Sequence, residues 1–283
     1  MSTSLQEDFA YANAVLNRQY DYRHWKIYGT TNEYMLNIFS NLNISDKNVL
    51  TVMSSGDYLI MSHLFGAKNV ECFDINPLTY RYFFLRKWLI LNGVLEYDRC
   101  GYEKLLEIIN SVSSLSSEYE KETNSFWKEI VKDFEYYNWF CNDLISVLYS
   151  PFSLREFYEE KRDEAQRIVP SLNPKFYISD LFDESGLQID KKYDYVFISN
   201  IIDVYNNRQP ERLEIIKRNL LNILESDGRI VCTHFPEKFG GLDKVPETLE
   251  VERKILDKDF DFQMIDGVLD GSKNIAYMYT RRK

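Results

Sequence analysis

Four apolar runs in this 283-residue chain each end in polar residues that could bind a ligand. The run VLTVM (49–53) ends in Ser54-Ser55-Gly56-Asp57, where glycine removes side-chain bulk and the serine hydroxyls and N–H groups can hydrogen-bond a ligand. Asp57 adds an acceptor for a cationic amino group. The run NVECF ends in Asp74, about 20 residues further on, where one carboxylate can accept from both hydroxyls of a ribose. Together these two stretches favour a nucleoside that carries an amino acid.

The two later runs end in the same way. Asp180 follows KFYIS and can accept a hydrogen bond from the exocyclic amine of adenine, while Asn200 and Asp203 follow YDYVFIS. Each residue also has an ordinary explanation, because Ser-Gly-Asp is a common turn composition and aspartate is favoured before a helix. Their recurrence at four strand ends favours one shared site over four separate turns. The predicted ligand-binding set is Ser54, Ser55, Gly56, Asp57, Asp74, Ile75, Asn76, Asp180, Leu181, Asn200 and Ile201.

An alternating β/α framework would bring these polar residues to one edge of a sheet. Short apolar strands alternate with amphipathic helices over residues 48–95 and 172–283, which is typical of a mainly parallel, doubly wound sheet in an α/β fold. Such sheets bind ligands at the carboxyl ends of their strands, near the switch in strand order. The segments DFQMI and NIAYMYTR flank Asp270-Gly271 and predict an antiparallel C-terminal edge hairpin.

Two further segments accompany this framework. Residues 1–47 are interpreted as an N-terminal helical cap, and residues 96–171 as a helical insertion without strand signal that roofs the acceptor site. Within the framework we expect a strand over 193–202 and a turn at Asp227-Gly228. Asn76 is placed to cap the next helix, with Pro77 in its first turn.

Composition and missing motifs exclude several functional classes. The net charge of −10, with no long Lys/Arg cluster, disfavours a nucleic-acid partner. The chain lacks GxGxxG and GxxxxGK[ST], so dinucleotide and P-loop nucleotide sites are disfavoured. Its three histidines and four cysteines form no metal-ligand pattern, so no metal is expected. The N-terminus MSTSLQEDFA shows no signal peptide and no apolar run could span a bilayer, which together predict a cytoplasmic protein.

These motifs resemble those of the class I S-adenosylmethionine-dependent methyltransferases. VLTVMSSGDYLI is similar to their first motif, ECFDINP to the acidic second, YISD to the third and YDYVFISNIID to the fourth, and DGRIVCTHF is similar to their fifth strand. The resemblance covers about 48–95 and 172–283 and implies a Rossmann-like class I methyltransferase fold with S-adenosylmethionine as the donor. It implies that residues 54–57 hold the amino-acid end of the donor, that Asp74 holds its ribose and that Asp180 holds its adenine.

A narrower similarity concerns the betaine-lipid synthase type of 3-amino-3-carboxypropyl transferases and their bacterial relatives. YGTTNE, SSGDYLI and GAKNVECFDINPLTYRYFFLRKWLI resemble that group, which uses the same donor but transfers its aminocarboxypropyl group. We therefore expect a methyltransferase for a small-molecule or lipid-like acceptor, with aminocarboxypropyl transfer as the alternative. A non-catalytic nucleoside-binding module is a second alternative, because the first motif is poor in glycine. The sequence indicates neither the particular acceptor nor an oligomeric state.

The acceptor side has its own candidates. Asp203 or His234 could act as a base, and Tyr205 is a further candidate near them. The segment WKIYGTTNE could fold over the donor, which makes Tyr28, Thr31 and Asn32 the substrate-binding candidates. The alternatives are a hydrogen-bonded strand-end histidine for His234 and, for TTNE, an ordinary helix cap with Glu33 in the first turn.

Overall fold

A computed structural model gives the structure of the chain, and it describes residues 4–16, 27–28, 33, 35–94, 100–113, 115, 117–135, 137–138, 145–146, 160–204, 209–234, 245–265 and 275–283. Its elements, in chain order, are α1 (Leu5–Leu16), β1 (Ile27–Tyr28), α2 (Met35–Ser40), β2 (Asn48–Val52), α3 (Asp57–Leu64), β3 (Asn69–Asp74), α4 (Leu78–Leu91), α5 (Tyr102–Ser111), α6 (Glu118–Val131), β4 (Ile145–Ser146), α7 (Arg162–Ile168), a 3-10 turn (Val169–Ser171), β5 (Phe176–Ile178), β6 (Tyr193–Ser199), α8 (Ile201–Val204), α9 (Pro210–Ile223), β7 (Leu224–His234), α10 (Val245–Leu256), β8 (Phe260–Met264) and β9 (Ile275–Arg281).

The main sheet has seven strands in the order β5-β3-β2-β6-β7-β9-β8. β2 pairs in parallel with both β3 and β6, and β6 pairs in parallel with β7. β9 runs antiparallel between β7 and β8. This mixed sheet with its helices confirms the predicted Rossmann-like α/β fold, and the β8–β9 pair confirms the antiparallel edge. The strand order reverses at β2 and β6, which is the switch point where such sheets bind ligands.

The chain divides into two compact units. The first comprises Met1–Asn32, Met53–Ile60 and Asp74–Ile178 and is built around α4, whose residues 78–90 are all buried. Tyr80 of this helix stacks on Tyr119 of α6 and on Phe176. Trp127 Nε1 donates to the Arg81 carbonyl, which joins α6 to α4. Burying an entire helix that carries three cations requires a partner for each cation, and those partners shape the candidate site.

The second unit comprises Glu33–Val52, Met61–Phe73 and Ser179–Lys283. Its core consists of the apolar residues of β2, β6, β7 and β9, together with the inner face of α9. Leu213, Ile216 and Leu220 form that face, as expected for residues three and four apart on a helix. Within the described ranges, no helix is both long and apolar enough to cross a lipid bilayer.

The segment 96–171 also contains the two-residue strand β4, which pairs in parallel with β1 of the first unit. Two local predictions were wrong. β6 ends at Ser199 rather than continuing to residue 202, because Ser199 has a positive φ of 52° and Ile201 already starts α8. Asp227-Gly228 lies within β7: the partner of β6 changes from Leu224 to Arg229 while β6 advances only two residues, so β7 bulges there.

Candidate functional site

The candidate site begins at the residues that connect β2 to α3. Ser54 and Gly56 have positive φ angles of 45° and 84°, and the Gly56 N–H donates to the Met53 carbonyl at 2.7 Å. A non-glycine residue in the left-handed region costs about 1–3 kcal/mol, and such strain concentrates at functional sites. We call residues 53–57 the β2–α3 corner.

Asp74 ties this corner to the end of β3. Its Oδ2 accepts from the Ser54 N–H at 2.9 Å, and its Oδ1 accepts from the Asn76 N–H at 3.0 Å. Asp74 is only 9% exposed. Burial raises the pKa of this carboxyl from 3.8 to about 6, although the hydrogen bonds from the backbone of Asn76 and Ser54 act in the opposite direction. The corner is therefore hydrogen-bonded to a buried carboxylate with a pKa just below neutral pH.

Asn76 presents a second polar group beside Asp74. Its Oδ1 accepts from the Leu78 N–H at 2.9 Å, so the side chain caps α4 as predicted. Its Nδ2 is buried, and it has no hydrogen-bond partner among the residues that the structure describes. A buried amide donor without a partner is costly, and a bound ligand with an acceptor atom would satisfy it.

The other end of the corner is held from α4. Asp57 is fully buried, and both of its carboxylate oxygens accept from Arg86, at 2.8 Å and 3.2 Å. Ser55 Oγ also donates to Asp57 Oδ2 at 2.7 Å. A Cβ added to Gly56 would lie 2.8 Å from Phe83 Cδ2, so only glycine lets this backbone pack on α4.

A separate polar cluster lies in the second unit, at the carboxyl ends of β6 and β7. Glu33 is 2% exposed, and its Oε1 accepts from Ser199 Oγ at 2.6 Å and also from Thr233 Oγ1. Ser199 carries the positive φ that ends β6. The Glu33 side chain is thus fixed where two parallel strands end, which is where open α/β sheets bind ligands.

The loop after β5 is fixed from α9. Asp180 is half-buried, and its Oδ1 accepts from the Phe182 N–H at 2.9 Å. The buried amide of Asn219 donates to the carbonyls of Leu181 and Asp183, both at 2.9 Å. These bonds satisfy the loop carbonyls and hold the backbone that carries Asp180 in one conformation.

The predicted residues fall into three groups. The first unit brings together Ser54, Ser55, Gly56, Asp57, Asp74, Ile75 and Asn76. The second contains Asp180, Leu181, Asn200, Ile201 and the buried His234. Thr31, Asn32 and Tyr205 lie outside the described residues, as do the side chains of Tyr28 and Asp203. Among the described side chains, no three that could bind a metal come together.

Arg86 and Glu33 are the polar residues that the sequence interpretation did not assign to a site. A signal for Arg86 was present, because a charged residue inside the apolar run YRYFFLRKWLI needs a partner if that helix is buried. Glu33 has no comparable signal, since TTNE is also an ordinary capping sequence.

A comparison with protein-family models finds no match for this chain, and neither does one with curated proteins. Among solved structures, the N-methyltransferase NodS from Bradyrhizobium japonicum WM9, in complex with S-adenosyl-L-homocysteine, is 9% identical with a TM-score of 0.44, over 96% of this chain and 99% of that one. A ribosomal protein L11 methylase from Lactobacillus delbrueckii subsp. bulgaricus is 14% identical with a TM-score of 0.39, over 88% and 76%. An rRNA methylase from Streptococcus thermophilus is 8% identical with a TM-score of 0.38, over 90% and 98%. Because these similarities are distant, a function has to be inferred from the residues of this chain.

Proposed function

We propose that this chain is an S-adenosylmethionine-dependent transferase and that it transfers a methyl group. The observation that carries the proposal is the junction between the β2–α3 corner and Asp74. There a backbone with two left-handed residues is hydrogen-bonded to a buried carboxylate at the end of the next parallel strand. A carboxylate at that position suits a ribose, and a compact corner that contains glycine suits the amino-acid end.

The residues of the first unit fit this donor. The N–H groups of Ser54 and Asn76 orient the Asp74 carboxylate, and the ribose hydroxyls donate to its oxygens. Asn76 Nδ2 supplies a donor for an acceptor atom of the nucleoside, and Ile75 supplies an apolar contact for the base. Ser54, Ser55 and Gly56 hold the amino-acid end. Asp57 was predicted to accept from its amino group, but its oxygens accept from Ser55 and Arg86, so its proposed role is to keep these three residues in place.

We propose roles for the second unit as well. Asp180 and Leu181 bind the adenine, while Asn200 and Ile201 line the site beside the transferred group. The donor supplies an electrophilic carbon on its sulfonium, so the protein needs to align the acceptor and exclude water. Asp203 or His234 takes a proton where the acceptor must lose one, and Tyr205 assists them. Tyr28, Thr31 and Asn32 contact the acceptor.

The proposed acceptor is a small or lipid-like molecule. A net charge of −10 repels a polyphosphate backbone, which disfavours RNA as the acceptor. The chain is rich in aromatic residues, with 21 Tyr and 18 Phe, and some of these could line an apolar acceptor pocket.

Aminocarboxypropyl transfer remains the alternative activity, supported by the resemblance of the segment that contains Asp74 and α4. The two reactions leave different products from the donor. Incubation with S-adenosylmethionine and fractionated cell extract should yield S-adenosylhomocysteine for methyl transfer and methylthioadenosine for aminocarboxypropyl transfer. A parallel incubation with ribosomal RNA tests the disfavoured acceptor.

Product formation should be lost in an Asp74→Ala variant that remains folded. If neither product forms with any fraction, but S-adenosylhomocysteine binds, the chain is a non-catalytic nucleoside-binding module. If neither S-adenosylmethionine nor S-adenosylhomocysteine binds in calorimetry, the proposal of a transferase is wrong.

A further inference from the structure

α4 carries three buried cations, and each pairs with at least one carboxylate of the first unit. Arg81 pairs with Asp8 of α1, and Lys87 pairs with Glu120 of α6 at 2.8 Å. Arg86 pairs with Asp57, which belongs to the β2–α3 corner. Arg81 and Lys87 therefore connect α4 to α1 and α6, whereas Arg86 connects α4 to the candidate donor site.

The Arg86–Asp57 pair is well suited to fix a conformation. A guanidinium that binds both oxygens of one carboxylate defines the orientation of that carboxylate, and a lysine cannot do this. Asp57 Oδ2 in turn accepts from Ser55 Oγ at 2.7 Å. Phe83, one turn before Arg86 on α4, packs against Gly56. Thus one face of α4 determines where Ser55 and Gly56 lie.

We infer that Arg86 is a positioning residue, which acts through Asp57 to keep the β2–α3 corner in the conformation that binds the amino-acid end of the donor. This inference rests on the proposed function. Both Asp57 oxygens accept from Arg86, so Asp57 holds the corner on the side of α4. Ser54, Ser55 and Gly56 are then the residues that contact the ligand. Strained backbone at Ser54 persists only where its surroundings hold it, and the Arg86–Asp57 pair is one such restraint.

A pair of ligands separates positioning of the corner from general loosening of the unit. S-adenosylhomocysteine contains the amino-acid end, and methylthioadenosine has the same adenosine without it. Loss of the restraint at the corner should weaken the binding of S-adenosylhomocysteine and leave the binding of methylthioadenosine unchanged. The affinity ratio of these two ligands is therefore a readout that a purely structural role of Arg86 would not change.

The experiment compares Arg86→Gln with Lys87→Gln by calorimetry with both ligands. Each substitution replaces a buried cation of α4 by glutamine and breaks one buried ion pair, so both should lower the melting temperature. Arg86→Gln should weaken S-adenosylhomocysteine by about ten- to a hundredfold and methylthioadenosine by about twofold at most. Lys87→Gln should leave the ratio of the two affinities as in the wild type.

Arg86→Lys keeps the charge but not the paired hydrogen bonds, so its affinity ratio should fall between those of wild type and Arg86→Gln. If Arg86→Gln does not fold, Arg86→Lys alone tests the inference. An unchanged ratio in Arg86→Lys and in any folded Arg86→Gln, or an equal change in Lys87→Gln, overturns the inference while the proposed function stands. A wild-type protein that binds neither ligand overturns the proposed function and the inference together.

Discussion

Replacing Asp74 by asparagine should change how folding stability depends on pH. Burial raises the pKa of this carboxyl from 3.8 to about 6, so the folded protein holds its proton more tightly than the unfolded chain. The stability that this group contributes is therefore fully present below about pH 4 and is lost as the pH rises through about 6. Asparagine does not titrate, so the variant lacks this dependence.

The size of the effect follows from the two pKa values. Over the whole range the difference corresponds to about 3 kcal/mol. Measurements from pH 5.5 to pH 8 stay above the isoelectric point of about 5.0. Over this interval the contribution of Asp74 to the free energy of unfolding should fall by about 1 kcal/mol. The stability of wild type relative to Asp74→Asn should fall by that amount over this interval.

Urea unfolding of both proteins at pH 5.5, 6.5 and 8 measures this difference. Subtracting the variant removes the contributions of all other titrating groups, provided that both proteins unfold in two states. A difference that is constant, or that grows with pH, would show that the folded protein does not favour the protonated form of Asp74.

Ligand binding should respond to pH in the opposite direction. Ribose hydroxyls donate to the ionised carboxylate, so the affinity of wild type for S-adenosylhomocysteine should rise by about fourfold from pH 5.5 to pH 8. Asp74→Asn should bind about 1–3 kcal/mol more weakly at pH 8, without this dependence, because charge-assisted hydrogen bonds are lost. Equal affinities in the two proteins would contradict the ribose assignment.

Four further substitutions test the local packing by thermal or urea unfolding. Gly56→Ala should destabilise by about 2–4 kcal/mol and Gly93→Ala by only about 1 kcal/mol, because both have positive φ but only Gly56 faces Phe83; equal losses would contradict the close packing. Glu33→Ala should cost about 2–3 kcal/mol, since the buried hydroxyl of Thr233 and the half-buried hydroxyl of Ser199 lose their acceptor; an unchanged stability would contradict these two hydrogen bonds. Asn219→Ala should cost about 2–4 kcal/mol because two loop carbonyls lose their donor, and an unchanged midpoint would contradict these bonds.

The sheet and the capping of α4 could be predicted because they depend on short-range patterns. Apolar runs that end in polar residues defined β2 and β3, and the Asn76-Pro77 pair identified the start of α4. The Arg86–Asp57 pair could not be predicted, since its partners are 29 residues apart and meet only because α4 is buried on all sides. The sequence shows that Arg86 needs a partner but not which acid provides it.

Turn chemistry was the least reliable guide. Asp227-Gly228 has the composition of a turn, yet the pairing of β6 with β7 continues past it as a bulge. The end of β6 is set by the positive φ of Ser199, a residue type that gives no such signal in sequence. In both cases the packing of the sheet decided the backbone conformation, and local composition did not.

A crystal structure with S-adenosylhomocysteine tests the central proposal most directly. We expect the ribose hydroxyls within hydrogen-bond distance of the Asp74 carboxylate and the amino-acid end against residues 54–56, with Asp57 still paired with Arg86. A ligand bound away from Asp74, or one whose amino-acid end lies far from this corner, would contradict the proposed site.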